Sequence, residues 1–279
     1  MKNVLTTDLA QKERAGLENL MRRFERAQSR RSYWESLWRE SYAFALPQRN
    51  GFSGAQPGGR QTDNLYDGTA LDASEKLAAS LLGNLTPPWT QWFGFKPGPD
   101  LTPREAERLA PVLEKAAKTV QAQLDRSNFI VEMHQCYLDL VVGGTASLFL
   151  EESEPGAFSA FRFSAVPLNQ IVLEEGADGF LNGGYRLLQL TLPQIQERYP
   201  AASLPVSIMR DGEKDPQRRF RLMESVLPNI KGTFNFTALL VEDSVPVILQ
   251  TGNFVESPLI AFRWLKTPGE IYGRSPVMK

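Results

Sequence analysis

FIVEMHQCYLDLVVGGTASLFLEE, residues 129–152, holds the point at which the chain changes its period. Phe129–Val142 reads as a helix, and Gly143-Gly144 supplies its stop, because glycine enters the left-handed region without a Cβ penalty. Beyond it come short runs rich in Val, Ile, Leu and Phe: SLFLEE, AFRFSAV, QIVLEE, YRLLQL, RFRLMESV, TALLVED, PVILQ and LIAFRW. Turn residues separate them at Pro155-Gly156, Gly176, Asp178-Gly179, Gly183-Gly184 and Gly252-Asn253. Their close spacing favours antiparallel meanders, since a parallel pair needs a long crossover. One short helix is expected at Leu192–Tyr199, and residues 200–218 read as a polar, proline-containing loop.

Upstream of the change the chain reads as helices. From Asp8 to about Ser29, Leu9, Leu17, Leu20, Met21, Phe24 and Ala27 mark one apolar face among many charges. A second amphipathic stretch carries Trp34, Leu37, Trp38, Ser41, Tyr42 and Ala45 at helical spacing and ends at Pro47. Residues 47–63, PQRNGFSGAQPGGRQTD, form a long loop. It is either a surface loop or a partner-contacting arm that carries Arg49 and Arg60. A helix from about Thr69 to Leu85 has Thr69 and Asp72 as its start signature and stops at Pro87-Pro88. The next begins at TPRE with Thr102 as cap, Pro103 at the first helical position and Glu105 closing the box. Pro111 lies inside its seam as a possible kink. The class is therefore α+β, amphipathic helices first and mainly antiparallel sheet after.

Composition bounds the function. Among 279 residues, Lys and Arg total 31 and Asp and Glu 32, so the net charge of −1 leaves no global footprint for nucleic acid. One cysteine, Cys136, allows no intrachain disulfide. No apolar h-region opens the chain, and no window approaches a membrane-spanning length, so a cytosolic chain is expected. Phosphate-loop motifs are missing from the sequence. His134, the one histidine, stands two residues before Cys136, and on a helix such neighbours point roughly 200° apart, so no nucleophile pair forms. One His and one Cys do not make a zinc site. The acidic pairs Glu151-Glu152, Glu174-Glu175 and Glu242-Asp243 could serve a metal-dependent hydrolase, but each ends a strand beside a turn, where solvated charges belong. Arg22-Arg23-Arg26, among glutamates including Glu18 and Glu25, reads as a salt-bridged helix exterior, and Arg218-Arg219-Arg221 could meet phosphate or an acidic partner.

NLTPPWTQWFGF, residues 84–95, concentrates aromatic side chains where helices hand over to sheet. Trp89, Trp92, Phe93 and Phe95 lack helical spacing, and a stacking platform for bases would interleave more cations than Lys96. Core packing is the default reading, with Trp92 or Phe93 largely buried, and a subunit contact the second.

Three blocks resemble one family. WESLWRESYAFALP followed by a Gly-rich loop, NLYDGTALDASEKLAASLLGNLTPPWTQWFGF, and SPLIAFRWLKTPGEIYGRSPVMK are similar, in order and spacing, to the portal or head-to-tail connector proteins of short-tailed bacteriophages. The resemblance implies a homo-oligomeric ring, usually of twelve copies, at one vertex of the phage head. Double-stranded DNA passes through its channel during packaging and ejection, a terminase motor drives packaging, and scaffold, capsid and tail proteins attach. It implies a virion component assembled in the host cytoplasm, with no catalytic residues; no cofactor, metal or membrane partner is expected. On this template residues 1–46 are amino-terminal helices, 47–68 the Gly-rich loop, 69–144 the helical part of a wing and 145–279 its β-rich part, ending before the expected stem. Candidate packing or subunit-contact residues are Trp89, Trp92, Phe93, Phe95, Tyr272 and Arg274, with Arg49 and Arg60 on the contact loop. The alternatives are a metal-dependent hydrolase or nuclease using the paired carboxylates, and a minor virion adaptor protein.

Overall fold

The computed structural model describes residues 2–53, 65, 67–242 and 246–278, with side chains from residue 14 onward. The elements run α1 (Lys2–Ala45), α2 (Thr69–Leu85), α3 (Pro103–Arg126), α4 (Phe129–Gly143), β1 (Thr145–Glu152), β2 (Phe161–Ala165), β3 (Ile171–Glu174), β4 (Gly183–Thr191), α5 (Leu192–Arg198), α6 (Val206–Lys214), β5 (Arg219–Pro228), β6 (Phe234–Leu240), β7 (Val247–Phe254) and β8 (Leu259–Arg263). The class is α+β, with helices leading and strands following, as the change of period at Gly143-Gly144 implies.

Local chemistry sets most boundaries. The two amphipathic stretches expected at the start are one helix of 44 residues, since no proline interrupts Gln28–Tyr33. It ends at Ala45, because a proline at 47 disfavours helical backbone at Leu46. At α2 the cap differs from expectation: Thr69 is the first helical residue, and Asp67 accepts from its backbone N–H at 3.0 Å and its hydroxyl at 2.8 Å. At α3 the capping box is present, with the Thr102 hydroxyl accepting from Glu105 N and Glu105 accepting from Thr102 N at 3.0 Å. The helix continues through Pro111. The stretch read as loop over 200–218 contains α6, because Ile208 is buried against the neighbouring core and burial stabilises a short helix that propensity alone would not.

The chain divides into two compact units, Met1–Arg39 with Asn169–Leu259, and Glu40–Leu168 with Ile260–Lys279. In the first, β3-β4-β5-β6-β7 form a sheet whose neighbours are all antiparallel and consecutive, the expected meander. Alternate side chains of β5 point to opposite faces. Phe220 and Leu222, with Ala238 and Leu240 of β6, meet Leu192 and Ile195 of α5 and Ile208 of α6. Met223 and Leu227, with Leu239 and Tyr185, meet α1 at Phe24 and Ala27. Helices thus cover both faces, so β5 is buried without a break from Leu222 to Leu227. Each such aliphatic side chain contributes about 1.5–3 kcal/mol on burial. Arg23 of α1 grips Glu174 at 2.8 Å, Tyr185 donates to the same carboxylate at 2.7 Å, and Arg31 donates to the Ile171 carbonyl at 2.9 Å.

In the second unit α4 packs on α2 and lies against a three-stranded sheet of order β2-β1-β8. Glu132 of α4 and Asn128 at its N-cap tie down β2, accepting from Ala165 N at 2.7 Å and from Phe163 N at 2.9 Å.

Candidate functional site

The aromatic segment begins where α2 ends and Thr86 and Pro87 are buried. Past Pro88 the chain has no regular structure, and its rings pack on one another. Trp92 stacks on Phe129 of α4, centroids 6.0 Å apart and planes 10° from parallel. Phe93 meets Trp92 edge-on at 5.0 Å, Phe95 meets Phe93 at 5.9 Å, and Phe129 meets Phe163 of β2 at 5.1 Å. The row Phe95–Phe93–Trp92–Phe129–Phe163 therefore runs from surface to core. The expectation of large burial fails at Trp92, which remains 37% exposed, while Phe93 is partly buried. The reason is that Phe129 covers one face of the indole, and no strand forms to send the neighbouring ring to the opposite side. Trp89 is 75% exposed and Phe95 46%.

The turn Tyr272-Gly273-Arg274-Ser275 seats on the α4–β1 junction. Gly144 adopts φ of +72°, so its glycine is required. The Gly273 N–H donates to the Thr145 hydroxyl at 2.8 Å, and the Ser275 hydroxyl donates to the Val142 carbonyl at 2.9 Å. Tyr272 is buried, while Arg274 forms a two-point pair with Glu270, with Nε at 2.9 Å from Oε2. That pair draws the Glu270 carboxyl below its ordinary range. Sequence reading named Tyr272 and Arg274 and took Gly143-Gly144 as a helix stop, but did not bring the two together.

Arg49 lies in a one-turn 3-10 helix, Pro47–Arg49, and turns inward. It pairs with Asp139 at 3.2 Å and donates to the Gln135 side chain, while the Tyr42 hydroxyl donates to Asp139 Oδ1 at 2.8 Å. Burial pushes the Asp139 carboxyl up to about 6 against the opposing pull of Arg49 and Tyr42. Burial likewise raises the Tyr42 hydroxyl well above its ordinary range. Sequence reading missed Asp139; its signal was one carboxylate inside the apolar run CYLDLVV. Arg60, Tyr66 and Asp243 lie outside the described residues.

The remaining candidates are occupied structurally. Cys136 is buried, its thiol raised by burial, and lies 3.5 Å from the Ser147 carbonyl. Glu174 is held by Arg23 and Tyr185, and Glu242 accepts from Arg221 N at 2.5 Å. Arg218 pairs with Asp211 at 2.8 Å and lies over the Phe220 ring. Among the described residues no three His, Cys, Asp or Glu side chains group so as to hold a metal ion. Among the same residues no helix is long and apolar enough to cross a membrane.

The family model for bacteriophage head to tail connecting proteins matches residues 17–279, and the chain belongs to that family. A probable portal protein of Bordetella phage BPP-1 is 22% identical over 275 residues, covering 93% of this chain and 48% of that protein. The chain thus spans about half the length of that curated relative. The resemblance drawn from the three sequence blocks holds.

Proposed function

We propose that this chain is a structural, non-catalytic part of a phage portal: a subunit of a ring at the head vertex through which DNA is packaged and ejected and to which the tail attaches. The observation that carries the reading is the family match over residues 17–279. In this reading residues 1–46 are the amino-terminal helices, 47–68 a contact loop, and 69–144 and 145–279 the helical and β-rich parts of the wing. Trp89, Trp92, Phe93 and Phe95 offer the subunit contact, supported by the exposure of an aromatic row anchored at Phe129. Aromatic side chains are enriched at such interfaces. Tyr272 and Arg274 hold the turn at the other end of α4, seated on Val142 and Thr145. The partners are further copies of the chain, closed as a ring of twelve, together with a terminase, capsid or scaffold, and tail proteins in the virion.

The test is electron microscopy of the purified product of the complete reading frame. Closed rings with a central channel are expected, and a sample of monomers alone overturns the reading. Mutating Trp89 and Phe95 together to Ser is expected to lower the fraction of closed rings while leaving the circular dichroism spectrum unchanged.

A further inference from the structure

We propose that the outer edge of β7 is a pairing site for the β7 strand of a second copy of this chain, joined antiparallel about a two-fold axis. An edge strand presents unpaired N–H and C=O groups to any extended partner. Protein sheets usually guard such edges by shortness, charge or burial. The opposite edge of this sheet is guarded in that way: β3 has four residues, and Ile171, Val172 and Leu173 are fully buried. Apart from a bulge at its start, the β7 edge lacks these guards. It runs eight residues, and Val247 through Val255 carries no charge, in a chain that is 23% charged. Apart from the buried Leu249, the strand's side chains from Ile248 to Phe254 are exposed, and Val255 beyond it is 78% exposed. Space lies open beside Gly252, where an added Cβ would meet nothing within 4 Å. A bulge at Leu249 disturbs only the first part of the strand, and Gln250–Phe254 stays in unbroken register with Phe234–Ala238 of β6.

Charge selects the occupant. A strand with net charge opposes its own copy, whereas this neutral run meets itself without repulsion. Homotypic pairing about Gly252, the middle of the regular run, sets Thr251 against Asn253 and Gln250 against Phe254, with matched faces on both sides. The contact is isologous: it links two subunits and by itself closes no ring. It is therefore independent of the portal reading and survives or fails separately from it.

The test is cross-linking in the whole chain. Cysteine is placed singly by Thr251→Cys, Gly252→Cys and Asn253→Cys, with Val206→Cys, exposed on another element, as the collision control. Cys136 is buried with a raised thiol and does not compete. A two-fold antiparallel pair sets one of the three positions opposite its own copy. Under mild oxidation at micromolar protein, that variant is expected to form disulfide dimer about tenfold or more faster than the control, because pairing raises the local thiol concentration. Adding Gln250→Lys and Phe254→Lys together, which sets like charges directly opposite one another across the pair, is expected to return the rate to the control value. If all three variants cross-link at the control rate, the proposal is overturned. A fast rate that the two lysines together leave unchanged overturns it equally.

Discussion

Gly144 and Gly273 face one another backbone to backbone, and a Cβ on either would run into the carbonyl of the other. The contact fastens the turn at 272–275 to the end of α4, where Thr145 and Val142 complete the seat. Gly273→Ala meets both that carbonyl and the Arg263 Cβ at 2.8 Å, so it is expected to destabilise by about 1–3 kcal/mol, the range for overpacking. Gly144→Ala adds the left-handed backbone strain of about 1–2 kcal/mol and is expected to cost more than Gly273→Ala. Urea unfolding of both variants checks the order; equal stability to the parent chain would show that the seat yields freely.

Asp139 gives the chain a signed pH dependence. Its folded carboxyl sits at about 6, above the ordinary 3.8, so the folded state holds a proton that the unfolded state has released. Its contribution to stability is full below pH 3.8 and is lost as pH rises through about 6. The stability of the parent chain relative to Asp139→Asn is therefore expected to fall by about 3 kcal/mol between those limits and to level off above pH 7. Denaturation midpoints across pH 4–8 read this; a difference that rises with pH would mean that Arg49 outweighs burial.

The aromatic row is expected to weaken from core to surface. Phe129→Ala removes a ring that is only 8% exposed and is expected to cost about 3–5 kcal/mol. Trp92→Ala, at the outer end of the stack, is expected to cost about 1–3 kcal/mol. The measurement is unfolding of the two single variants. A larger loss at Trp92 than at Phe129 would place the core of the row in the segment and not in α4.

Glu224 is fully buried, takes Arg198 at 2.7 Å and the Tyr199 hydroxyl at 2.5 Å, and has Arg186 at 3.7 Å. Removing one partner of a buried ion pair strands the others, so Glu224→Gln is expected to cost about 3–5 kcal/mol. Asp72→Asn breaks an exposed pair with Lys76 on α2 and is expected to change stability far less. Matched thermal melts of the two variants make the comparison.

The sequence by itself determined what short-range chemistry decides. The Thr102–Glu105 capping box, the stop at Gly143-Gly144, the breaks at Pro47 and Pro87, and the meander each rest on residues a few places apart. The family blocks were equally legible as ordered strings. Only the tertiary structure decided that Asp139 lies beneath Tyr42, 97 residues away in the chain, or that Gly273 meets Thr145 at a separation of 128. The same holds for α6, which packing holds in a stretch that reads as loop, and for Trp92, which Phe129 covers on one face only. The physical reason is range: caps and turns are satisfied within one or two turns of backbone, whereas burial depends on which distant surface arrives to exclude water.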